Sequence, residues 1–293
     1  MIAIIIPYYK KKFFRNTLKS LANQTDKRFK VYIGDDDSPE NPTDIISEFK
    51  DTLNIVYFKF QINLGSKSLV KHWERCINLI RDENWITILG DDDTYGANVV
   101  SEFYNNYNDL FNLDIKVLRY STIKIDSKDK QISKVNTNER IEKSIDFFFK
   151  NTPSSLSEYF FEREQLQKVK FKDFPLAWHS DQLAVIEVSD FGNVLSVENA
   201  NVYVRISELS ISGNQNLYYE KLNASFMFYH YLLKKYLSKF DKQQYDMLSI
   251  KLNKCFINNK KRVDWFLKTS YLYLTNKKIK DFFLFYNQII KNL

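Results

Sequence analysis

Three consecutive carboxylates, Asp91-Asp92-Asp93, directly follow the apolar run Trp85-Ile86-Thr87-Ile88-Leu89. Three acids at a strand end repel one another and add nothing to a core, so the cluster is best tolerated where a cation offsets it. Hard divalent ions with oxygen ligands meet that need, and in open α/β sheets ligands bind at the carboxyl ends of the strands. The first chemistry these residues suggest is a divalent ion that neutralises a diphosphate; the alternative is a solvated acidic turn without a ligand. A second apolar run, Phe29-Lys30-Val31-Tyr32-Ile33-Gly34, also ends in three acids, Asp35-Asp36-Asp37, followed by Ser38-Pro39. Asp, Ser and Pro are ordinary turn residues, but two acidic strand ends in one half of a chain point to a shared cleft.

Strands and helices must carry these acids to one place. Over the first 125 residues, short apolar runs alternate with amphipathic segments, the pattern of βαβ units around a parallel sheet. Ile2 to Ile6, the run ending at Gly34, Ile55 to Phe58 and Trp85 to Leu89 read as strands. Phe14 to Leu21, the segment around Ile45, Ile46 and Phe49, Leu69 to Ile80 and Val99 to Phe111 read as helices between or after them. Ile115 to Ile125 is strand-like, and Asp126 to Lys134 reads as a polar hairpin. Asp181 to Val188 is helical, and Val194 to Val197 and Val202 to Ile206 are two β-rich runs that extend the same sheet. Ser207 to Asn216 is a polar segment, read as a mobile loop or a boundary. From Leu217 onward every segment has helical periodicity and no Gly or Pro, which predicts three or four packed helices.

Composition narrows the class. At 293 residues with 44% hydrophobic and 27% charged residues, the chain is that of a globular protein with a substantial core. No run of 18 apolar residues predicts a transmembrane helix, and Met1 to Pro7 reads as a first strand rather than a signal peptide. Cys76 and Cys255 lack metal-ligand spacing and are expected as reduced thiols in the cytoplasm. None of the six glycines forms a G-x-G-x-x-G after the first strand, where Pro7-Tyr8-Tyr9-Lys10 stands, so dinucleotide and Walker loops are excluded in their usual form. Charge is uneven: the net is +7, yet residues 217–293 hold 15 Lys and Arg against 5 Asp and Glu. That basic quarter suggests an anionic partner, such as a membrane leaflet, a phosphorylated lipid or a nucleic acid, or serves only solubility.

The order of Ile4-Ile5-Ile6-Pro7-Tyr8-Tyr9, Ser20-Leu21-Ala22-Asn23-Gln24-Thr25, Val31-Tyr32-Ile33-Gly34-Asp35-Asp36-Asp37-Ser38 and the Asp91 triplet resembles the family 2 glycosyltransferases. The likeness is strong over about residues 1–100 and continues weakly through Trp178-His179-Ser180-Asp181 and Val202 to Ser207. It implies an α/β GT-A nucleotide-sugar-binding fold, a mostly parallel central sheet flanked by helices, over residues 1–213. Residues 214–293 would be a helical, basic and aromatic extension. By that resemblance the protein is a metal-dependent, inverting hexosyltransferase that uses Mn2+ or Mg2+ and a nucleotide-sugar donor, of the UDP type. Pro7 and Tyr9 match contacts to base and ribose, and Asp36 matches the carboxylate that accepts from the pyrimidine. Asp35 beside it reads as structural. Asn63 lies in a matching N-x-G turn, with Lys67 or Lys71 toward the phosphates. Asp92 matches the metal-reaching acid. Gly90 replaces the motif's usual first Asp, leaving Asp91 or Asp93 as the second contact. Asp181 matches the catalytic base, or caps its helix as Asp does well. Trp178 and His179 are candidate acceptor contacts, or core and loop residues. Ser207 stands where the family often has a metal-binding His.

The implied partners are a saccharide or lipid-linked saccharide acceptor and an anionic membrane surface met through the C-terminal region, with no nucleic acid expected. The implied setting is lipopolysaccharide or capsule assembly, cytoplasmic or peripheral at the inner membrane face. Two other classes compete. A sugar-phosphate nucleotidylyltransferase also pairs a nucleotide-binding sheet with metal carboxylates, but opens with a Gly-rich basic loop absent here. A non-enzymatic nucleic-acid binder would use the Lys-aromatic tail, while the acidic cleft would repel phosphates.

Overall fold

The strand β1 (Ile2–Tyr8), IAIIIPY, is apolar at nearly every position because it is covered on both faces, as central parallel strands are. After α1 (Phe14–Ala22) the chain returns as β2 (Phe29–Asp35), which pairs parallel with β1. Helix α2 (Thr43–Phe49), β3 (Ile55–Lys59), α3 (Leu69–Ile77) and β4 (Trp85–Ile88) repeat the unit. Then follow β5 (Thr94–Tyr95), α4 (Val99–Asn105), α5 (Tyr107–Asn112), β6 (Val117–Ile125), β7 (Ile141–Lys143) and α6 (Ser144–Lys150). The set is completed by β8 (Tyr159–Glu162), α7 (Arg163–Val169), α8 (Ser180–Val188) and β9 (Asn193–Arg205). This computed structural model describes residues 1–150, 154–208, 210–211 and 213–291. Leu209 and Ser212, inside the polar segment expected as a loop or boundary, lie outside the described residues.

Among the described residues nine strands form one sheet in the order β3-β2-β1-β4-β8-β6-β9-β5, with β7 on β9. The first four strands are parallel; β8 enters antiparallel to both β4 and β6. The fold is the expected α/β architecture, a central sheet flanked by helices with further helices at the C-terminal end. Two details differ from the sequence pattern. The two β-rich runs after residue 193 are one strand, β9, whose pairing with β6 shifts register between Tyr120 and Ser121, where the polar stretch Glu198-Asn199 passes. The helix expected over 99–111 breaks at Asn106, whose side chain turns back to the Glu102 carbonyl. A close approach holds α3 on the sheet: a Cβ on Gly34 would overlap Cys76 Sγ of that helix.

The chain divides into two compact units, Met1–Asp173 with Ser180–Asn214, and Phe174–His179 with the chain from Gln215 onward. In the second unit lie α9 (Tyr218–Lys235), α10 (Lys242–Ile257), α11 (Val263–Thr275) and α12 (Ile279–Lys291). Asp241 starts α10 with a capping box, its side chain accepting from Gln244 N–H while Gln244 accepts from Asp241 N–H. Phe226 of α9 stacks on Trp265 of α11 with centroids 4.4 Å apart. No helix among the described residues is long and apolar enough to cross a membrane.

Candidate active site

The acidic turn after β4 is held by three distant parts of the first unit. Thr17 of α1 donates to the Asp93 carbonyl at 2.8 Å and the Asp91 carbonyl at 3.2 Å. The Asp91 carboxylate, through Oδ2, accepts from the backbone N–H of Tyr9 at 2.8 Å and of Lys10 at 2.7 Å. Asp93 is buried, with Oδ1 accepting from Arg205 N–H at 2.8 Å and Oδ2 from the Ser157 hydroxyl at 2.6 Å. The same Ser157 accepts from Gly90 N–H, and its carbonyl accepts from Tyr95. The Arg205 guanidinium, also buried, donates to the carbonyls of Asp92 and Asp126 at 2.9 and 2.7 Å and pairs with Asp129.

Asp92 differs from its neighbours. It is half-buried and its carboxylate makes no hydrogen bond to any other described residue. Burial raises its pKa, opposed by the charges of Lys10 and Arg205 and by a hydrogen bond from its own backbone N–H. Burial also pushes Asp91 up to about 7, with the Asp92 charge adding to it, against the two N–H donors. Asp93 is raised likewise, first by burial and then by Asp92. The turn thus keeps a carboxylate that no other described residue bonds among acids that burial makes costly to ionise, a cost that an added cation would lower. Among the described residues no group of three or more His, Cys, Asp or Glu side chains is placed to hold a metal ion by itself. Mg2+ and Mn2+ need none, since one or two carboxylates with substrate phosphates and water complete their shell. Asp92 and Asp91 Oδ1 would supply two such carboxylates, and each Asp93 oxygen, accepting one hydrogen bond, keeps a second lone pair.

The second acidic turn is organised by its own contacts. Asp35 is fully buried, accepting from Ser38 N–H at 2.8 Å and from the Tyr57 hydroxyl at 2.6 Å. Asp36 clamps the Asn63-Leu64-Gly65 turn: Oδ1 accepts from Leu64 N–H and Oδ2 from Gly65 N–H, both at 2.8 Å. It also pairs with Arg75, whose guanidinium lies 3.9 Å above the Phe60 ring. Arg75 Nε donates to His72 Nδ1 at 3.0 Å, and burial drives His72 down to about 4, so the imidazole is neutral. Burial still raises Asp36 despite these donors. Each carboxylate oxygen has a second lone pair, so Asp36 can hold the turn and accept one further N–H. Asn63 Oδ1 accepts from Ser66 N–H, and Ser68 caps α3 through Lys71 N–H; the side chains of Lys67 and Lys71 are exposed. Pro7 lies opposite Gly34 in the sheet, and Tyr9 is exposed beyond the end of β1.

Asp181 is the second residue of α8 and half-buried. Burial raises it to about 6, against the pull of the Gln182 and Asp181 N–H groups. Beside it in the electrostatics is Glu158, buried in the turn that leads into β8. Glu158 Oε2 accepts from Ser155 N–H at 3.0 Å, while Oε1 has no hydrogen-bond partner among the described residues. Burial lifts Glu158 to about 8, and Asp181 adds to the rise. Trp178 and His179 fall in the second unit. Lys221 lies over the Trp178 ring, and His179 bonds the Ser225 hydroxyl at 2.9 Å and stacks on Phe228 at 4.6 Å. Sequence reasoning missed four residues that carry the site: Thr17, Arg75, Ser157 and Glu158. Thr17, Ser157 and Glu158 lie in no motif, and Arg75 is marked only by the contacts it makes with His72 and Asp36.

Aspartates at the carboxyl ends of parallel strands, in a sheet that is mixed rather than mostly parallel with four parallel and four antiparallel pairings, mark an α/β fold of the GT-A type. The family described as Glycosyl transferase family 2 matches residues 3–166, and the chain belongs to that family. Its fold is similar to that of Staphylococcus aureus TarS. The structure of TarS residues 1–349 in complex with UDP-GlcNAc aligns with a TM-score of 0.64 and 14% identity, over 96% of this chain and 89% of that one. The complex of the same fragment with UDP aligns at 0.58 and 13%, over 100% and 92%. No curated protein matches the chain by sequence.

Proposed function

We propose that this glycosyltransferase moves a sugar from a nucleoside diphosphate donor, of the UDP type, to a saccharide or lipid-linked saccharide, with inversion and with a divalent ion. The acceptor class belongs to surface-polysaccharide assembly at the inner membrane face. The observation that carries the reading is Asp92, a carboxylate held by its neighbours in an acidic turn yet bonded by no other described residue. The UDP and UDP-GlcNAc complexes of the similar fold support the choice of donor.

In this reading Asp92 and Asp91 Oδ1 would hold Mn2+ or Mg2+, which would supply positive charge against the departing diphosphate. Asp36 and the Asn63 turn, with Pro7 and Tyr9, receive base and ribose, and Lys67 or Lys71 faces the phosphates. Asp181 takes the proton of the acceptor hydroxyl as it attacks C1 from the opposite face; a base whose pKa has been raised toward working pH is suited to that transfer. Inversion needs one displacement and so no second nucleophile.

The test is a panel of nucleotide sugars incubated with the chain, Mn2+ and candidate saccharides. Release of nucleoside diphosphate with an inverted anomeric product by NMR is expected. Release of pyrophosphate would instead identify a nucleotidylyltransferase.

A further inference from the structure

Helices α11 and α12 each bury one face and leave an apolar stripe in solvent. Their inner faces meet through Phe266, Tyr273 and Phe285, with Phe285 fully buried. On α11 the exposed residues are Val263, Leu267, Tyr271 and Leu274, with Leu267 60% and Tyr271 68% accessible. On α12 Ile279, Phe283, Tyr286 and Ile290 are exposed in line, with Phe283 58% and Ile290 51% accessible, and Leu284 is exposed beside that line. The spacings i, i+4, i+8, i+11 and i, i+4, i+7, i+11 place each set on one side of its helix, turned away from the packed face. Large apolar side chains in such runs are uncommon on a monomer without a use.

The charge around the stripes indicates what covers them. The segment 258–291 contains eight Lys and Arg against two acids, Asp264 and Asp281. Asp264 is already paired with Arg262 and Lys268, and Asp281 accepts from the Tyr245 hydroxyl. Lys280 and Lys291 stand about 100° around α12 from its stripe, and Lys277 and Lys278 form the turn between the helices. A second copy of this surface would bring the same positive charge against itself. Apolar stripes bordered by lysines match instead an interface with apolar depth and anionic headgroups.

We propose that the outer faces of α11 and α12 dock the protein on an anionic lipid bilayer, the aromatic and aliphatic stripes entering the headgroup boundary and the lysines meeting its charge. This gives the proposed lipid-linked acceptor a surface on which the enzyme is held, and rests on that reading only for its biological purpose. The test is flotation of the full chain with vesicles of phosphatidylcholine alone or mixed with phosphatidylglycerol, without donor or acceptor, so that its outcome is independent of glycosyl transfer.

Binding is expected to the anionic vesicles and to weaken with salt. The pair Phe283→Ser with Ile290→Ser, and the pair Leu267→Ser with Tyr271→Ser, should each lower partitioning by about tenfold or more. Lys277→Glu or Lys280→Glu should cost about fivefold or more. Because all these side chains are exposed, unchanged circular dichroism and melting should accompany the loss. Equal flotation of the stripe variants and the parent, or no flotation of the parent, would overturn the proposal. So would a concentration-dependent dimer that the stripe variants abolish without any vesicle binding, which would make the surface a subunit interface.

Discussion

The backbone N–H of Arg205, the last residue of β9, donates to Asp93 Oδ1 across 112 residues of chain. The guanidinium of the same residue donates to the carbonyl of Asp92. One arginine thus fixes an acid by its main chain and the neighbouring turn by its side chain. Arg205→Met should keep the first contact and lose the second, leaving buried carbonyls without donors. The expected cost is about 1–3 kcal/mol in urea unfolding, together with weaker nucleotide binding in the presence of Mn2+. An unchanged midpoint would mean that the guanidinium contacts are idle.

Asp92→Asn tests the metal. Removing one charge from an acidic turn should leave melting unchanged or raise it, while the response of turnover to added Mn2+ disappears. Titration of the parent with a chelator should reproduce the variant's activity. Full turnover of the parent in chelator would end the metal assignment.

Asp181→Asn should reduce turnover by about 10²–10⁴-fold while donor affinity, measured by calorimetry, stays within a small factor. The parent's kcat/KM should rise with pH below about 6 and level above it, because the base works only once its proton has left. A variant that keeps the acidic limb of that profile, or most of the activity, would make Asp181 a helix-start residue and not the base.

Glu158 makes a prediction about stability. Its folded pKa, about 8, lies above its ordinary value of 4.5. Between those values the folded chain holds a proton that the unfolded chain has released, so stability falls as pH rises and the loss is complete above about 8. Glu158→Gln removes the penalty. Its melting temperature relative to the parent should be higher at pH 9 than at pH 5, by on the order of 2–4 °C for each kcal/mol recovered. Parallel melting curves at both pH values would show that Glu158 ionises freely.

The parallel half of the sheet was legible because its strands are short and, apart from the edge strand β3, doubly covered and therefore almost wholly apolar. The family likeness rests on the residues at three of their ends, Pro7-Tyr8-Tyr9, Asp35-Asp36-Asp37 and Asp91-Asp92-Asp93. What holds the acids was not legible. Ser157 and Arg205 reach Asp93 from 64 and 112 residues away, and no local pattern marks a residue for a partner at that distance. The continuity of β9 was hidden for a different reason: Glu198-Asn199 reads as a break in a strand, whereas the sheet absorbs it as a register shift against β6. In the tail, periodicity predicted helices, but Trp178 and His179 could not be assigned to the tail's unit from their place beside Asp181.

Gly34 has a reach beyond its own strand. Helix α3 lies against bare main chain there, and it is α3 that brings Arg75 and His72 to the carboxylate gripping the Asn63 turn. The clearance behind the sheet is thus a set-screw for the Asn63 turn, the part of the site proposed to receive the nucleotide. A single added methyl group, touching no ligand-facing atom, would back that helix away and loosen the grip from the rear.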